Sequence, residues 1–116
     1  MVRQVVVVIP LRTVLVEELA FRGTLLGLLG RMVSPVWAVA MCSALFGLWH
    51  LGGIVTSTPG SAAHVALVGT GTVVATGVAG AAFCWLRLRS GSLVAPFLAH
   101  LATDTVPLVV AWVVVH

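Results

Sequence analysis

Long apolar runs separated by short junctions dominate the chain. Four of these runs are long enough to be considered as membrane-spanning helices, over residues 5–29, 35–51, 62–86 and 93–115. A helix needs about 20 mainly apolar residues to cross the hydrocarbon core of a bilayer, and runs of this length fit helices better than strands. The pattern therefore predicts an all-α fold, a polytopic bundle of about four transmembrane helices.

Turn-forming residues mark the junctions between the runs. Gly30 ends the first run, and Ser34 followed by Pro35 restarts a helix in the order typical of helix termini. The stretch 52–61 is rich in glycine, serine and threonine and predicts a loop, while 87–91 predicts a basic turn. Pro107 predicts a kink in the fourth helix. The third run contains four glycines that predict close packing against a neighbour, namely Gly69, Gly71, Gly77 and Gly80.

Composition agrees with a membrane protein. Of the 116 residues, 60% are hydrophobic and 8% are charged, with a mean hydropathy of +1.19, whereas soluble domains are roughly 25% charged. The net charge of +3 comes from scattered arginines without any lysine, so no nucleic-acid partner is expected. Cys42 and Cys84 lack the spacing of a redox or zinc motif and are interpreted as small buried residues.

All three acidic residues, Glu17, Glu18 and Asp104, lie inside predicted spans. A charge at the centre of a membrane helix costs roughly 2.5–3.5 kcal/mol, so each needs a partner or a function. Glu18 and Arg22 are four residues apart and are expected to pair. Glu17 has no such partner and is expected to face a cavity. The alternative is that both glutamates mark a helix end at the membrane surface.

Two histidines also lie within the predicted spans. His50 ends the second span one turn after Phe46, which is expected to pack beneath the imidazole. His100 and Asp104 are four residues apart on one face of the fourth helix, where they would hold a water, a metal or a carbonyl oxygen between them, or form a simple structural hydrogen bond. His64 and His116 are interpreted as solvated.

Taken together, these side chains are the constituents of two kinds of site. One is a water-activating acid/base site, and the other is a metal site of two histidines and carboxylates. The metal-free site is favoured. Zinc stays as the alternative, with four candidate ligands: Glu17, His50, His100 and Asp104.

Three segments resemble, in order, the motifs of the CPBP family, the CAAX-protease and bacteriocin-processing intramembrane endopeptidases. They read VEELAFRG, FGLWHL and LRSGSLVAPFLAHLATD. The family pattern is Glu-Glu-x-x-x-Arg, then Phe-x-x-x-His, then His-x-x-x-Asn or Asp. Every position of that pattern is satisfied here, by Glu17, Glu18, Arg22, Phe46, His50, His100 and Asp104.

The resemblance implies hydrolysis of peptide bonds in or beside the membrane, in CAAX-type processing or in bacteriocin-related maturation or immunity. By position, Glu17 would activate water that His50 helps to hold, and Glu18 with Arg22 would form an orienting ion pair. His100 and Asp104 would stabilise the oxyanion. The family's alternative at position 104, asparagine, donates a hydrogen bond, whereas an ionised aspartate does not, so Asp104 is protonated, orients His100 or binds zinc.

The resemblance also implies the setting of the protein. The expected partners are the lipid bilayer and a peptide or protein substrate, with a lipidated C-terminus as one form, and the expected location is a bacterial cytoplasmic membrane. Family members usually carry helices ahead of the double-glutamate helix, so residues 1–116 would form a single protease domain without those helices, as a fragment, a minimal member or an inactive remnant.

Two rival functions come from other classes. Buried Glu, His and Asp also build proton relays, so a fragment of a proton-coupled transporter is one alternative. A non-catalytic immunity or binding protein of the membrane is the other.

Overall fold

The computed structural model describes residues 3, 8 and 11–116. The described part is helical except at short junctions and contains no strand. Its elements are α1 (Leu15–Glu18), a π-helical segment (Leu19–Leu25), α2 (Leu26–Met32), α3 (Pro35–Trp49), α4 (Leu51–Ser57), α5 (Ala62–Ser90) and α6 (Val94–Val115). The predicted all-α bundle is confirmed.

Three helical stretches in the described part are long and apolar enough to cross a membrane. They are Pro35–Ser57, Ala62–Ser90 and Val94–Val115, of 23, 29 and 22 residues. They match the predicted second, third and fourth spans. The first predicted span is helical from residue 11 and ends at Met32, three residues later than expected, while most of its beginning lies outside the described residues. Pro107 lies inside α6, and a kink there stays a prediction.

The loop predicted at 52–61 is wrong in its first half, because α4 extends the second span to Ser57. Only His50 interrupts the two helices. Backbone polar groups in a bilayer must bond within their own segment, so a helix forms even through glycines. The Thr56 and Ser57 hydroxyls donate to the carbonyls of Gly52 and Gly53, at 3.0 and 2.6 Å, which hides their polarity.

The predicted basic turn at 87–91 is also corrected, because Arg87 and Arg89 form the last turn of α5. Basic side chains there oppose the partial negative charge of the helix C-terminus. The turn itself begins at Gly91, which has a positive φ of 68° and donates its backbone N–H to the Arg87 carbonyl at 3.0 Å. A left-handed glycine at this position is a common helix terminator.

The distribution of side chains is the reverse of that in a soluble protein. Large apolar side chains are exposed along the spans, such as Trp37 and Val114 at 65% and 79%. Charged side chains are buried instead, including Glu18 and Arg22 at 1% each. Lipid solvates the first group and the bundle interior shelters the second. The candidate functional groups therefore lie in the polar interior of the bundle.

Helix α5 packs most extensively against α3, through glycines. A Cβ built on Gly47 would lie 2.6 Å from the Val73 carbonyl oxygen, and one on Gly80 would lie 2.8 Å from the Phe46 ring. The close packing predicted from the glycines of the third run is thus confirmed for Gly69, Gly77 and Gly80. It is wrong for Gly71, where an added Cβ would meet no described atom within 4 Å. This approach places the α5 backbone directly against the polar interior.

Candidate active site

Four elements bring the six predicted site residues together in one cluster. Glu17 and Glu18 end α1, and Arg22 lies in the π-helical segment. His50 lies between α3 and α4, while His100 and Asp104 lie on α6. A continuous series of contacts, each of 3.9 Å or less, joins all six side chains.

Glu18 is the centre of the inner half of this cluster. Its Oε1 accepts from Arg22 Nη1 at 3.1 Å, so the predicted ion pair is confirmed. The same oxygen lies 2.7 Å from Nδ1 of His100. Arg22 also donates from Nη2 to the Gly80 carbonyl at 3.2 Å. Glu18 thereby fixes the arginine, as predicted, and also the imidazole of His100, a contact that sequence spacing did not predict.

Aromatic rings enclose the guanidinium of Arg22 and the two imidazoles. The Arg22 guanidinium lies 4.1 Å from the centre of the Phe46 ring, a cation–π contact that offsets part of its desolvation. The His100 ring stacks on Phe83, with centroids 4.8 Å apart and planes inclined by 21°. Phe46 also meets His50 edge to face at 4.8 Å, as predicted. The rings hold both imidazoles in fixed planes.

Glu17 belongs to the outer half of the cluster. Its Oε2 lies 3.5 Å from Nε2 of His100 and 3.9 Å from Nε2 of His50. It is buried and has no hydrogen-bond partner within residues 3, 8 and 11–116. A buried carboxylate oxygen normally has such a partner. Glu17 therefore presents an open acceptor between two imidazole nitrogens.

The backbone decides which nitrogen of His50 is available. Nδ1 lies 2.8 Å from the Phe46 carbonyl oxygen, which can only accept, so Nδ1 carries the hydrogen. In the neutral ring Nε2 then has a free lone pair directed toward Glu17. His50 and an ionised Glu17 are both acceptors, so a molecule that donates two hydrogens fits between them.

Asp104 lies at the edge of the cluster. Its Oδ2 is 3.7 Å from Nε2 of His100, within ion-pair range and beyond hydrogen-bond length. The prediction that the two side chains share one face of the helix is confirmed. The stronger partner of His100 is Glu18, and Asp104 is directed to the same nitrogen as Glu17.

Exposure divides the six residues into two layers. The inner side chains of Arg22, Glu18 and His100 are 0%, 2% and 4% exposed. The outer side chains are 10% exposed for Glu17, 27% for His50 and 34% for Asp104. A peptide can meet the outer layer and the one inner atom that faces it, Nε2 of His100, which lies 3.5 Å from Glu17 and 3.7 Å from Asp104. Glu18 and Arg22 lie behind and hold these groups in place.

Comparison with protein families identifies the chain. A family model described as "Type II CAAX prenyl endopeptidase Rce1-like" matches residues 2–106, which include all six site residues. The chain belongs to this Rce1-like endopeptidase family. No curated protein and no solved structure matches it. The resemblance seen in the sequence is therefore confirmed at the level of the family, and the membrane location agrees with the three apolar spans.

Within this Rce1-like chain, a metal site was the alternative interpretation of the same residues. The side chains of Glu17, His50, His100 and Asp104 include the donor types that zinc accepts. In the part of the chain that the structure describes, however, no three or more His, Cys, Asp or Glu side chains are arranged to hold a metal ion. The metal-free site stays a prediction, with zinc as its alternative.

Two elements of the Rce1-like site have no signal in the sequence. The Gly80 carbonyl accepts from Arg22, and Phe83 stacks on His100. Gly80 was identified only as a small packing residue. The π-helical form of 19–25 was also not predicted, because the apolar pattern of this segment does not differ from that of an ordinary membrane helix. Segments of this kind occur frequently at functional sites.

The remaining histidines lie apart from the cluster. His64 is exposed in the first turn of α5, where its backbone N–H donates to Ser61 Oγ at 3.2 Å. His116 stacks on Trp112 at the end of the chain. Both are exposed, in agreement with their interpretation as solvated residues. His64 is a suitable control position for experiments on the site.

Proposed function

We propose that the chain is a CAAX-type intramembrane endopeptidase that hydrolyses a peptide bond with water activated by Glu17. The observation that supports this most directly is the position of Glu17 Oε2, which lies between the two Nε2 atoms of His50 and His100 and has no hydrogen-bond partner among the described residues. Family membership supports the reaction class. The half-open outer layer gives a peptide access to these atoms.

The first step is removal of a proton from water. A water that donates to Glu17 Oε2 and to Nε2 of His50 satisfies both acceptors at once. Glu17 takes one proton while the oxygen of the water forms a bond to the scissile carbonyl carbon. The electron pair of the C=O π bond moves to the carbonyl oxygen. A buried carboxylate is suited to this work because nearby water does not compete for its lone pairs.

The second requirement is stabilisation of that oxyanion. With Asp104 protonated, the cluster has two glutamates and one arginine, so a proton on His100 balances its charge. An imidazolium donates from both nitrogens, from Nδ1 to Glu18 and from Nε2 toward the outer layer. His100 thus stabilises the oxyanion, together with Asp104 in its protonated form. The tetrahedral intermediate then collapses, the C–N bond breaks, and the proton on Glu17 passes to the leaving amine.

Glu18 and Arg22 are positioning residues in this scheme. They are too buried to meet a peptide, and Glu18 Oε1 fixes the ring of His100 through Nδ1 at 2.7 Å. A carboxylate behind an imidazole sets both its orientation and its tautomer.

The substrate we propose is a peptide or protein with a lipidated C-terminus that approaches from the bilayer. The family description supports a prenylated CAAX segment. A bacteriocin-related peptide and a bacterial cytoplasmic membrane stay predictions from the sequence.

The test uses purified protein in lipid nanodiscs with a farnesylated peptide that ends in a CAAX sequence. We expect release of the three C-terminal residues, detected by mass spectrometry, with no change on adding a strong chelator. His50→Ala should lower kcat about 10²-fold, and the matched control His64→Ala should leave it unchanged. Chelator-sensitive cleavage that zinc restores would contradict the metal-free mechanism, and a folded wild-type protein that cuts no peptide would favour a non-catalytic binding role.

Asp104→Asn distinguishes the proposed roles of this carboxyl group. An amide donates a hydrogen bond to an oxyanion without needing a proton, so we expect kcat/KM to stay within about tenfold of wild type. Asp104→Leu removes the donor and should cost about 10²-fold. If the asparagine variant is as inactive as the leucine variant, the negative charge of Asp104 is required and the oxyanion role is wrong.

A further inference from the structure

A cavity lined by arginines and glycines lies next to Arg22, outside the proposed active site. It has a volume of about 390 Å³ and lies between the segment Leu19–Met32 and the C-terminal end of α5. Three arginines line it, Arg22, Arg31 and Arg87, and none of the described residues that line it is acidic. Nothing in the proposed hydrolysis uses this cavity.

Glycines create the space inside the cavity. Gly23, Gly27 and Gly30 recur at helical spacing along one face of the segment. A Cβ built on Gly27 or Gly30 would have no neighbouring atom within 4 Å among the described residues. Close helix packing therefore does not explain these two glycines, in contrast to Gly47. Because this helix face carries no side chains at the glycines, it leaves room for a group that is not part of the described chain.

Arg22 adds an unsatisfied donor at this wall. The residue is 1% exposed, and its Nε has no hydrogen-bond partner in residues 3, 8 and 11–116. A buried donor without a partner is costly. Its other two nitrogens are occupied by Glu18 and Gly80, so Nε is the atom of this guanidinium that is left for a further acceptor.

The arginines of the cavity predict where it lies relative to the bilayer. Arg31 and Arg87 stand in the last turns of α2 and α5, and α5 is one of the membrane-spanning helices. Arginines at the end of a span lie at the membrane interface and attract anionic lipid headgroups. The guanidinium group binds phosphate through paired hydrogen bonds.

We propose that this cavity is a phosphate-binding site, occupied at the interface by the headgroup of an anionic phospholipid. Arg31 and Arg87 bind the phosphate oxygens, and the glycine face admits the group. A simpler role for Arg87 would be to oppose the negative end of the α5 helix dipole. Arg89 does the same two residues later but does not line the cavity. The pair Arg87 and Arg89 therefore separates binding from general electrostatics.

The experiment measures lipid bound to the purified protein by native mass spectrometry, after titration with phosphatidylglycerol or phosphatidylcholine in a neutral detergent. We expect saturable binding of phosphatidylglycerol to wild type. Arg87→Gln should weaken it about tenfold, the value of one lost charge-assisted hydrogen bond, while Arg89→Gln should change it less than twofold. Gly27→Leu should fill the cavity and abolish binding, and the control Gly71→Leu, whose Cβ also points into open space, should not.

Inorganic phosphate, titrated in the same detergent without lipid, identifies the source of the phosphate group. Weak or absent binding of inorganic phosphate beside tight binding of phosphatidylglycerol supports the lipid headgroup. Binding of inorganic phosphate that Arg87→Gln weakens supports the same site with a soluble occupant. Equal losses in Arg87→Gln and Arg89→Gln, or unchanged binding in Gly27→Leu, would overturn the proposal. Because the readout is binding, this outcome is independent of whether the protein is a protease.

Discussion

Glu17→Gln should reduce kcat for peptide cleavage by about 10³-fold, the range expected when a general base is removed. Glutamine has the shape of glutamate but cannot take a proton from water. In the proposed mechanism Glu17 acts through Oε2, which lies between the two imidazole nitrogens and has no hydrogen-bond partner among the described residues. KM should change little, because the side chain contributes to the reacting water more than to peptide binding. The measurement is single-turnover cleavage of the farnesylated reporter.

The melting temperature of Glu17→Gln is the control that distinguishes loss of catalysis from loss of folding. The buried oxygen of Glu17 has no hydrogen-bond partner in the described part of the chain, and its contacts with His100 and His50 are 3.5 and 3.9 Å long, so a neutral amide of the same shape should leave the melting temperature nearly unchanged. Loss of activity with equal or higher stability is typical of a residue kept for function. A Glu17→Gln variant that keeps more than a tenth of wild-type activity would show that another group activates the water. Binding without cleavage in both proteins would favour an immunity role.

Local spacing predicted the parts of the site that lie on one helix. Glu18 with Arg22, and His100 with Asp104, are each four residues apart and share a face, as expected. Such pairs depend only on the pitch of the helix. The order of the three motifs then identified the family, because it added information that spacing alone does not contain. The layout of the spans followed from apolar length.

Contacts between different helices could not be predicted from the sequence. Glu18 and His100 are 82 residues apart and form one of the shortest polar contacts of the site, at 2.7 Å. Which face of α6 meets α1 depends on how the helices rotate against each other, and that depends on packing such as the close approach at Gly80. The π-helical segment adds a local change of register. Spacing predicted His100 beside Asp104 and missed its closer partner.

The loop predicted at 52–61 was wrong over 52–57 for a different physical reason. Turn preferences of glycine, serine and threonine reflect chains in water, where solvent can replace helical hydrogen bonds. In an apolar segment that alternative is absent, and Thr56 and Ser57 satisfy their hydroxyls on carbonyls one turn back. Composition therefore assigned six residues of α4, 52–57, to the loop.

Arg22→Leu should destabilise the folded protein by about 3 to 5 kcal/mol, because it leaves the buried Glu18 without its cation. The same change removes the bond to the Gly80 carbonyl and the contact over Phe46. Cleavage should fall as well, since Glu18 then holds His100 less firmly. The measurement is unfolding in detergent by circular dichroism. The matched control is Arg12→Leu, an exposed arginine in the same helical region, which should change stability by less than about 1 kcal/mol.

The double variant Glu18→Leu with Arg22→Leu separates stability from positioning. Removing both partners leaves no unpaired buried charge, so most of the lost stability should return. Activity should stay about 10²-fold below wild type, because Nδ1 of His100 has lost the carboxylate that orients it. Stability losses that simply add would mean that the two side chains are not coupled. Recovery of both stability and cleavage would instead show that the ion pair serves folding alone, and that His100 keeps its orientation through Phe83.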